Sequence, residues 1–166
     1  MAPSHYKFSA MSKPPTPLDA PDRRRLPPLL RKAWYGLNQA FRRRIKQHAV
    51  TPDQFTILRM LREGSADGLS QRDLCELMSS DPNTMAALLS RMEEQGLVER
   101  RADAKDKRAH LVTATAKGKA IFKKLRAIAL TLQTEVLVAI PEERRELFLS
   151  DLDAVAEACR KTADGE

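Results

Sequence analysis

The chain has 166 residues, enough for one domain with a buried core or for a small domain with a dimerisation arm. It carries 29 basic and 22 acidic residues, and a net charge of +7 suits a polyanionic partner. The excess lies before residue 50, because residues 50–166 hold 18 basic and 20 acidic residues. Net charge by itself therefore does not identify the partner.

Several classes of protein are disfavoured by what the sequence lacks. No apolar run approaches the roughly 18 residues of a membrane span, and the N-terminus lacks the apolar core of a signal peptide. Cys75 and Cys159 are far apart and the three histidines are scattered, so neither a disulfide scaffold nor a metal site is supported. A Gly-rich phosphate loop and a catalytic constellation are also missing. We expect a cytoplasmic protein that is not an enzyme and has no cofactor and no membrane contact.

The composition of the N-terminal part of the chain changes near residue 29, from proline-rich and polar to periodically apolar. Residues 1–28 hold seven of the ten prolines and are predicted to form a flexible basic arm, either a solvated tail or a contact to DNA or to a partner subunit. Residues 29–49 follow as a helix, because apolar side chains recur every three or four positions. These positions are Leu30, Ala33, Trp34, Leu37, Phe41 and Ile45.

Two further helices are predicted before residue 80. Thr51 to Gln54 combine an N-cap, a proline at the first helical position and a capping-box partner. A loop over 64–68 separates this helix from another that Ser70 and Asp73 open in the same way. The buried side of this second helix is predicted to consist of Leu74, Cys75, Leu77 and Met78.

The segment from Asp81 to Arg108 organises the rest of the chain. Asp81 and Pro82 start a helix over 82–95, which Gly96 ends. One face of this helix is apolar, and the other is small and uncharged, which is unusual for a merely solvated surface. A strand from Leu97, a basic turn and a return strand over 110–114 follow. A helix that can enter a groove and a basic hairpin together predict a winged helix-turn-helix.

The C-terminal part is predicted to be helical and to need a second subunit. Thr115 caps a helix that extends to about Ala139, which at 1.5 Å per residue is about 37 Å long. Pro141 starts a last helix whose apolar stripe includes Phe148, Leu152, Val155 and Cys159. Such helices reach beyond one small domain, so residues 115–160 and the first helix are expected to intertwine in a homodimer. Residues 161–166 form a tail.

The segment also resembles a known family. The run N-T-x-x-x-L-x-x-R-x-E-x-x-G-L-V from Asn83, the D-x-R at Asp106 and T-x-x-G at Thr115 are similar to motifs of the MarR (multiple-antibiotic-resistance regulator) family. The resemblance covers roughly residues 29–160. It implies a mainly α (α+β) fold, with a DNA-binding domain over 50–114 between helices that form an intertwined dimerisation region.

Candidate DNA contacts follow from the helix and the resemblance. On the helix, Asn83 can pair with adenine, Ala86 can touch a thymine methyl group, and Ala87 and Ser90 share their face. Thr84 and Arg91 are better placed for phosphate, although Asn83 and Thr84 can equally well only help to cap the helix. At the wing, the resemblance implies that Arg108 enters the minor groove, braced by Asp106. The remaining candidates are phosphate contacts: Lys105, Lys107 and, unless they serve only as helix caps, Ser70 and Gln71.

The family often binds aromatic or phenolic acids between its dimer helices and its DNA-binding domain. Trp34 and His48 are the candidates for such a pocket, but a position on the core stripe favours a packing role for Trp34. Cys75 and Cys159 are also expected to be buried packing residues rather than redox sensors.

The leading hypothesis is therefore a dimeric regulator, associated with the nucleoid, that binds a pseudo-palindromic operator on double-stranded DNA. The resemblance implies a repressor that a small-molecule effector releases. The alternative is a winged helix that serves only as a protein-interaction module.

Overall fold

A computed structural model describes residues 20, 23–102 and 110–165, and these residues are mainly helical. The helices are α1 (Leu26–Ile45), α2 (Pro52–Glu63), α3 (Gln71–Met78), α4 (Pro82–Glu94), α5 (Ala116–Leu137) and α6 (Arg145–Asp164). The strands are β1 (Leu69–Ser70), β2 (Val98–Ala102) and β3 (His110–Ala114), and short 3-10 turns over Lys46–His48 and Glu142–Arg144 follow α1 and precede α6. The chain divides into two compact units, Met1–Leu37 and Asn38–Glu166.

The predicted starts of α2, α3 and α5 are confirmed by hydrogen bonds, whereas Pro141 is followed by a 3-10 turn and α6 begins only at Arg145. At α2 the Gln54 amide donates to Thr51 Oγ1 (3.2 Å) and the Thr51 amide donates to Gln54 Oε1 (3.0 Å). Ser70 and Asp73 form the same capping box at α3. Thr115 caps α5 by accepting a hydrogen bond from the Gly118 amide (3.1 Å). Each cap satisfies backbone groups that the helix itself leaves without a partner.

The three strands form one antiparallel sheet in the order β1-β3-β2. The register of β2 and β3 runs from Val98 opposite Ala114 to Ala102 opposite His110. The sequence did not predict β1, which pairs through Leu69 opposite Val112. A strand of two residues is too short to show an alternating pattern, so only its pairing reveals it.

The core of the second unit lies between α2, α4, α5 and the sheet. The predicted apolar face of α4 is confirmed, because Met85, Leu88, Leu89 and Met92 are all buried. Phe55 joins the helices: its ring centroid lies 4.9 Å from that of Phe41 and 5.3 Å from that of Phe122. Phe122 and the fully buried Ile57 were not among the predicted core residues.

Several apolar residues are more exposed than the sequence suggested. α1 begins at Leu26, three residues early, because Pro27 and Pro28 lie in its first turn, where a missing N–H costs little. Trp34 and Leu77, which were assigned to buried faces, are 63% and 55% exposed. Leu37, Phe148 and Leu152 are also exposed in one chain, on helices that the sequence predicts a second subunit to cover. Periodicity shows that a face is apolar, but it does not show what covers that face.

Cys159 is exposed in this chain, which corrects the expectation that it is buried, and Cys75 is half-buried. Desolvation, followed by the nearby charges of Asp81 and Glu76, raises the pKa of the Cys75 thiol. A raised pKa lowers the thiolate fraction and so favours a packing role for Cys75. None of the helices in the described part of the chain is long and apolar enough to cross a membrane.

Gly118 allows α5 to approach the end of α4 closely. A Cβ atom at this position would overlap the carbonyl oxygen of Leu97 and touch the Leu58 side chain. We expect Gly118→Ala to lower the free energy of unfolding by about 2 kcal/mol or more, since backbone would have to move. Urea unfolding followed by circular dichroism measures the change.

Gly36 provides the matched control, because a Cβ there meets no described atom within 4 Å. Gly36→Ala lies inside α1 and should stabilise the protein by about 0.5–1 kcal/mol through helix propensity. Equal effects of the two substitutions would contradict the close approach at Gly118.

Candidate nucleic-acid interface

The start of α4 is fixed by Asp81. Its Oδ1 accepts hydrogen bonds from the backbone amides of Asn83 (3.0 Å) and Thr84 (2.9 Å). Hydrogen bonds from the Thr84 side chain and then from the backbone hold the pKa of the Asp81 carboxyl below its ordinary value. Since Pro82 occupies the first helical position, the first turn of α4 is held in place before any ligand binds.

The structure brings the predicted base-contacting and phosphate-contacting residues of α4 onto one accessible face. Asn83, Thr84, Ala87, Ser90 and Arg91 are exposed and Ala86 is half-buried, while the opposite face is in the core. None of the salt bridges among the described residues involves Arg91. The face therefore offers small hydrogen-bonding groups with one cation at its flank, which is the chemistry that base edges and a phosphate require.

The side chains of Ser70 and Gln71 have structural partners in this chain. Ser70 Oγ accepts from the Asp73 amide (3.1 Å) and lies 2.8 Å from Asp73 Oδ2, to which it donates. Gln71 Nε2 donates to the carbonyl of Pro82 (3.2 Å) and so ties the start of α3 to the start of α4. The capping alternative thus holds for Ser70, and phosphate contacts by either residue stay a prediction.

A shallow depression links the start of α3 to the hairpin. It has a volume of about 550 Å³ and is lined by Ser70, Gln71, Arg100, His110 and Val112. Arg100 and His110 could not be grouped with the two residues of α3 from sequence alone, because only the pairing of β1 with β3 brings them together. Arg100 also pairs with Glu93 on α4, with 3.4 Å between Nε and Oε2.

The wing candidates Lys105, Asp106, Lys107 and Arg108 lie outside the described residues. The strands on either side are described, and Ala102 pairs with His110 at their ends. Ala102 and His110 therefore lie next to each other at one end of the β2–β3 pair, and β2 follows α4 directly in the sequence.

The end of α4 is held by what we call the α4 junction, which consists of Gln95, Gly96 and their partners. Gly96 has a positive φ of 67°, as the sequence predicted for the residue that ends this helix. Gln95 accepts from Gln54 Nε2 through its side chain (2.9 Å) and from Lys117 Nζ through its carbonyl (2.6 Å). Thr115 Oγ1 donates to the Gly96 carbonyl (2.7 Å).

The two candidate ligand contacts lie in different parts of the chain. Trp34 is on the exposed part of α1 in the first unit. His48 is half-buried in the 3-10 turn of the second unit, with its Nε2 3.4 Å from Gln47 Nε2. Their role in a pocket stays a prediction. Among the described residues, no group of three or more His, Cys, Asp or Glu side chains is placed to hold a metal ion.

Two short helices joined by a tight turn, with the second followed by a β-hairpin, define this protein as a winged helix-turn-helix protein. The model of the MarR family matches residues 49–109. The transcriptional regulator HosA of Escherichia coli O127:H6 (strain E2348/69 / EPEC) is 33% identical over 126 residues, which are 73% of this chain and 92% of HosA. The chain belongs to the MarR family. Its homologues in this family are transcriptional regulators, not enzymes.

Solved structures share the fold. MepR of S. aureus in complex with DNA has a TM-score of 0.74 at 22% identity, over 82% of this chain and 99% of MepR. CouR of Rhodococcus jostii RHA1 bound to p-coumaroyl-CoA has a TM-score of 0.70 at 24% identity, over 77% of this chain and 89% of CouR. CouR, described as a transcriptional repressor, is also known bound to a 23-mer DNA duplex.

Because Asp81 caps α4 as a carboxylate, we predict that the stability of the protein depends on pH. A lowered pKa in the folded state means that the carboxylate stabilises the fold above its ordinary pKa of 3.8, and that this contribution is lost as the pH falls through the folded pKa. We expect Asp81→Ala to lower the Tm by a few degrees at pH 7, with a gap to the wild type that narrows towards pH 3. Thermal unfolding at several pH values measures both effects.

Asp81→Asn is the matched control, since it keeps an acceptor for the backbone amides but carries no charge. It should lose less stability than Asp81→Ala at pH 7. If the difference in Tm between the wild type and Asp81→Ala is the same at pH 7 and pH 3, the ionised carboxylate does not contribute to stability.

Proposed function

We propose that this protein is a dimeric, sequence-specific DNA-binding regulator that places α4 in the major groove and Arg108 in the minor groove. The observation that carries the proposal is the exposed, uncharged face of α4, held at its start by Asp81 and at its end by the α4 junction. A preorganised helix with short polar side chains pays little entropy when it binds base edges. The similar fold of MepR, solved with DNA, supports the same use of the fold.

The dimer is part of the proposal because of exposed apolar residues near the C-terminus. Val136, Val138, Leu147, Phe148 and Leu152 are all exposed on α5, α6 and the segment between them. None of the α6 residues whose burial is described is buried in one chain. We infer that residues 29–49 and 115–160 of two subunits cover these side chains, while residues 50–114 form the DNA-binding domain. Two-fold symmetry then places two α4 helices about 34 Å apart on a pseudo-palindromic operator.

The regulatory part of the proposal is repression that a small molecule relieves. CouR is described as a repressor and has been solved both with DNA and with p-coumaroyl-CoA, which supports a ligand that acts on DNA affinity. A regulator of this kind works on chromosomal DNA, so we place the protein in the cytoplasm with the nucleoid.

A protein-interaction module is the alternative. Such a protein would need neither the uncharged helix face nor a wing in which Arg108 follows Lys105 and Lys107. It would keep its partner when that arginine is removed, whereas a DNA-binding protein would lose affinity for its site.

The test is a gel shift of the purified protein on its own upstream DNA, and on duplexes selected from a random pool, at two salt concentrations. We expect a shift that weakens as salt rises, because phosphate contacts release counterions. Arg108→Ala should reduce affinity by about tenfold or more, since a dimer loses two minor-groove contacts. Analytical ultracentrifugation checks that the variant still dimerises.

Lys161→Ala is the charge control. It removes one positive charge near the end of α6, outside the segments that we assign to DNA binding and dimerisation, and should leave the shift unchanged. No shift on any selected duplex would reject the DNA-binding proposal in favour of the interaction module, and equal losses in both variants would reject a specific role for Arg108.

A further inference from the structure

The end of α4 satisfies part of its hydrogen bonding within its own segment. The backbone amides of Gln95, Gly96 and Leu97 donate to carbonyls in the last turn of α4, at 2.8 to 3.0 Å. These bonds occupy carbonyls that a helix leaves without a partner at its C-terminus. The carbonyls of the same three residues follow the helix, and they need donors from another part of the chain.

The start of α5 supplies all three donors. The Thr115 amide donates to the Leu97 carbonyl (3.1 Å) and Thr115 Oγ1 donates to the Gly96 carbonyl (2.7 Å). Lys117 Nζ donates to the Gln95 carbonyl (2.6 Å). Thr115 lies just before α5, whereas Lys117 is in its first turn and has to extend its side chain to reach the end of α4.

A second contact shows that the Lys117 side chain is placed along the end of α4. A Cβ atom built at Gly96 would lie 3.9 Å from Lys117 Cδ, so the aliphatic stem of the lysine passes beside this glycine. None of the salt bridges among the described residues involves Lys117. The stem thus contacts Gly96, and the amino group bonds the carbonyl of the residue before it.

The charge of Lys117 is unfavourable for its own helix and favourable for α4. The N-terminus of a helix carries a partial positive charge, and the first turn of α5 holds no acidic residue that would offset the lysine there. The C-terminus of a helix carries a partial negative charge, and a lysine that bonds its last carbonyls stabilises it. Lys117 therefore acts as a C-terminal cap that α5 provides for α4.

We propose that Lys117 is a positioning residue for DNA recognition, which fixes the end of α4 without contacting DNA. The proposal rests on the proposed function, since that function places α4 in the major groove. A direct contact to a DNA phosphate is the competing role for an exposed lysine. It fits less well, because the amino group is already held by the Gln95 carbonyl and the stem by Gly96.

The length of α4 explains why its far end needs to be held. Its 13 residues extend over about 20 Å at 1.5 Å per residue. Asp81 fixes the start, next to Asn83, whereas Ser90 and Arg91 lie in the second half of the helix. A small change in the direction of α4 therefore displaces Ser90 and Arg91 most. Base contacts require exact placement, and attraction to phosphates does not, so the loss should fall on sequence specificity.

The test compares Lys117→Met with Lys117→Arg, which keeps the charge and the donor. Affinity is measured on a duplex selected for tight binding and on an unselected duplex of the same length, over a range of salt concentrations. We expect Lys117→Met to weaken binding to the selected duplex by about tenfold, because both helices of the dimer lose a charge-assisted bond, and to the unselected duplex by about twofold or less. Lys117→Arg should bind both duplexes like the wild type.

The salt dependence separates positioning from a phosphate contact. A positioning residue leaves the slope of log K against log salt unchanged, whereas a lost phosphate contact reduces it by about 0.9 per subunit and weakens both duplexes equally. A reduced slope with equal losses in Lys117→Met would therefore overturn the proposal, as would wild-type affinity. Lys161→Ala, the charge control, should bind both duplexes like the wild type.

Hydrogen exchange of the free protein tests the cap without DNA. In Lys117→Met the amides of Gln95, Gly96 and Leu97 should exchange several-fold faster than in the wild type and in Lys117→Arg, because the end of α4 opens more often. The Tm should change by only a few degrees, since the substitution also removes an unfavourable charge from α5. Should Lys117→Met not fold, the neutral variant Lys117→Gln takes its place.

The two measurements distinguish failure of this proposal from failure of the proposed function. If the wild type binds no duplex, the DNA-binding proposal fails, and the exchange rates alone decide whether Lys117 caps α4. If the wild type binds DNA but Lys117→Met changes neither exchange nor the preference for the selected duplex, only the role of Lys117 is rejected.

Discussion

The structure depends most on the α4 junction, where the end of the proposed recognition helix meets α2 and the start of α5. Gln54, only 3% exposed, brings α2 to Gln95 by a hydrogen bond between their side-chain amides. Lys117 brings the start of α5 to the backbone of the same residue. A buried amide without its partner is costly, so the Gln54–Gln95 bond fixes where α4 ends relative to α2. The direction of the whole helix follows from its two fixed ends.

The junction also explains why a chain with a nearly neutral DNA-binding region can still be a DNA-binding protein. Residues 50–166 have slightly more acidic than basic side chains, so this part of the chain itself supplies little long-range attraction to DNA. A few correctly placed groups have to supply the rest, and their placement requires a rigid helix. Asp81 is an acid at the positive end of α4, where its charge stabilises the helix. Its carboxylate accepts hydrogen bonds from two backbone amides of the first turn.

Local features could be predicted from the sequence and non-local ones could not. Thr51, Ser70, Asp81 and Thr115 announce helix starts because a cap involves residues no more than three positions apart. Gln54 was recognised only as the partner of Thr51, since its bond to Gln95 joins residues 41 positions apart. For the same reason the pattern assigned the exposed Trp34 to a core stripe.

The same limit applies to the candidate site, whose local features could be predicted and whose non-local ones could not. The uncharged face of α4 follows from helical periodicity within one segment, and the structure has it exposed. The depression between α3 and the hairpin was missed because it depends on the pairing of β1 with β3, which are separated in sequence by α3, α4 and β2, and because a concave shape has no sequence signature.

One helix, α5, joins the end of α4 to the rest of the core. Thr115 and Lys117 at its start hold Gly96 and Gln95, and Phe122 and Leu125 in the following turns are buried. By linkage, a ligand changes DNA affinity only as far as it distinguishes the DNA-bound position of α5 from the free one, and DNA then changes ligand affinity by the same factor. Because a packed core does not deform continuously, Gly118 against the Leu97 carbonyl leaves α5 little room to slide gradually. Coupling through this helix thus requires the first turn of α5 and the end of α4 to move together, and the hydrogen bonds of the α4 junction are what joins them.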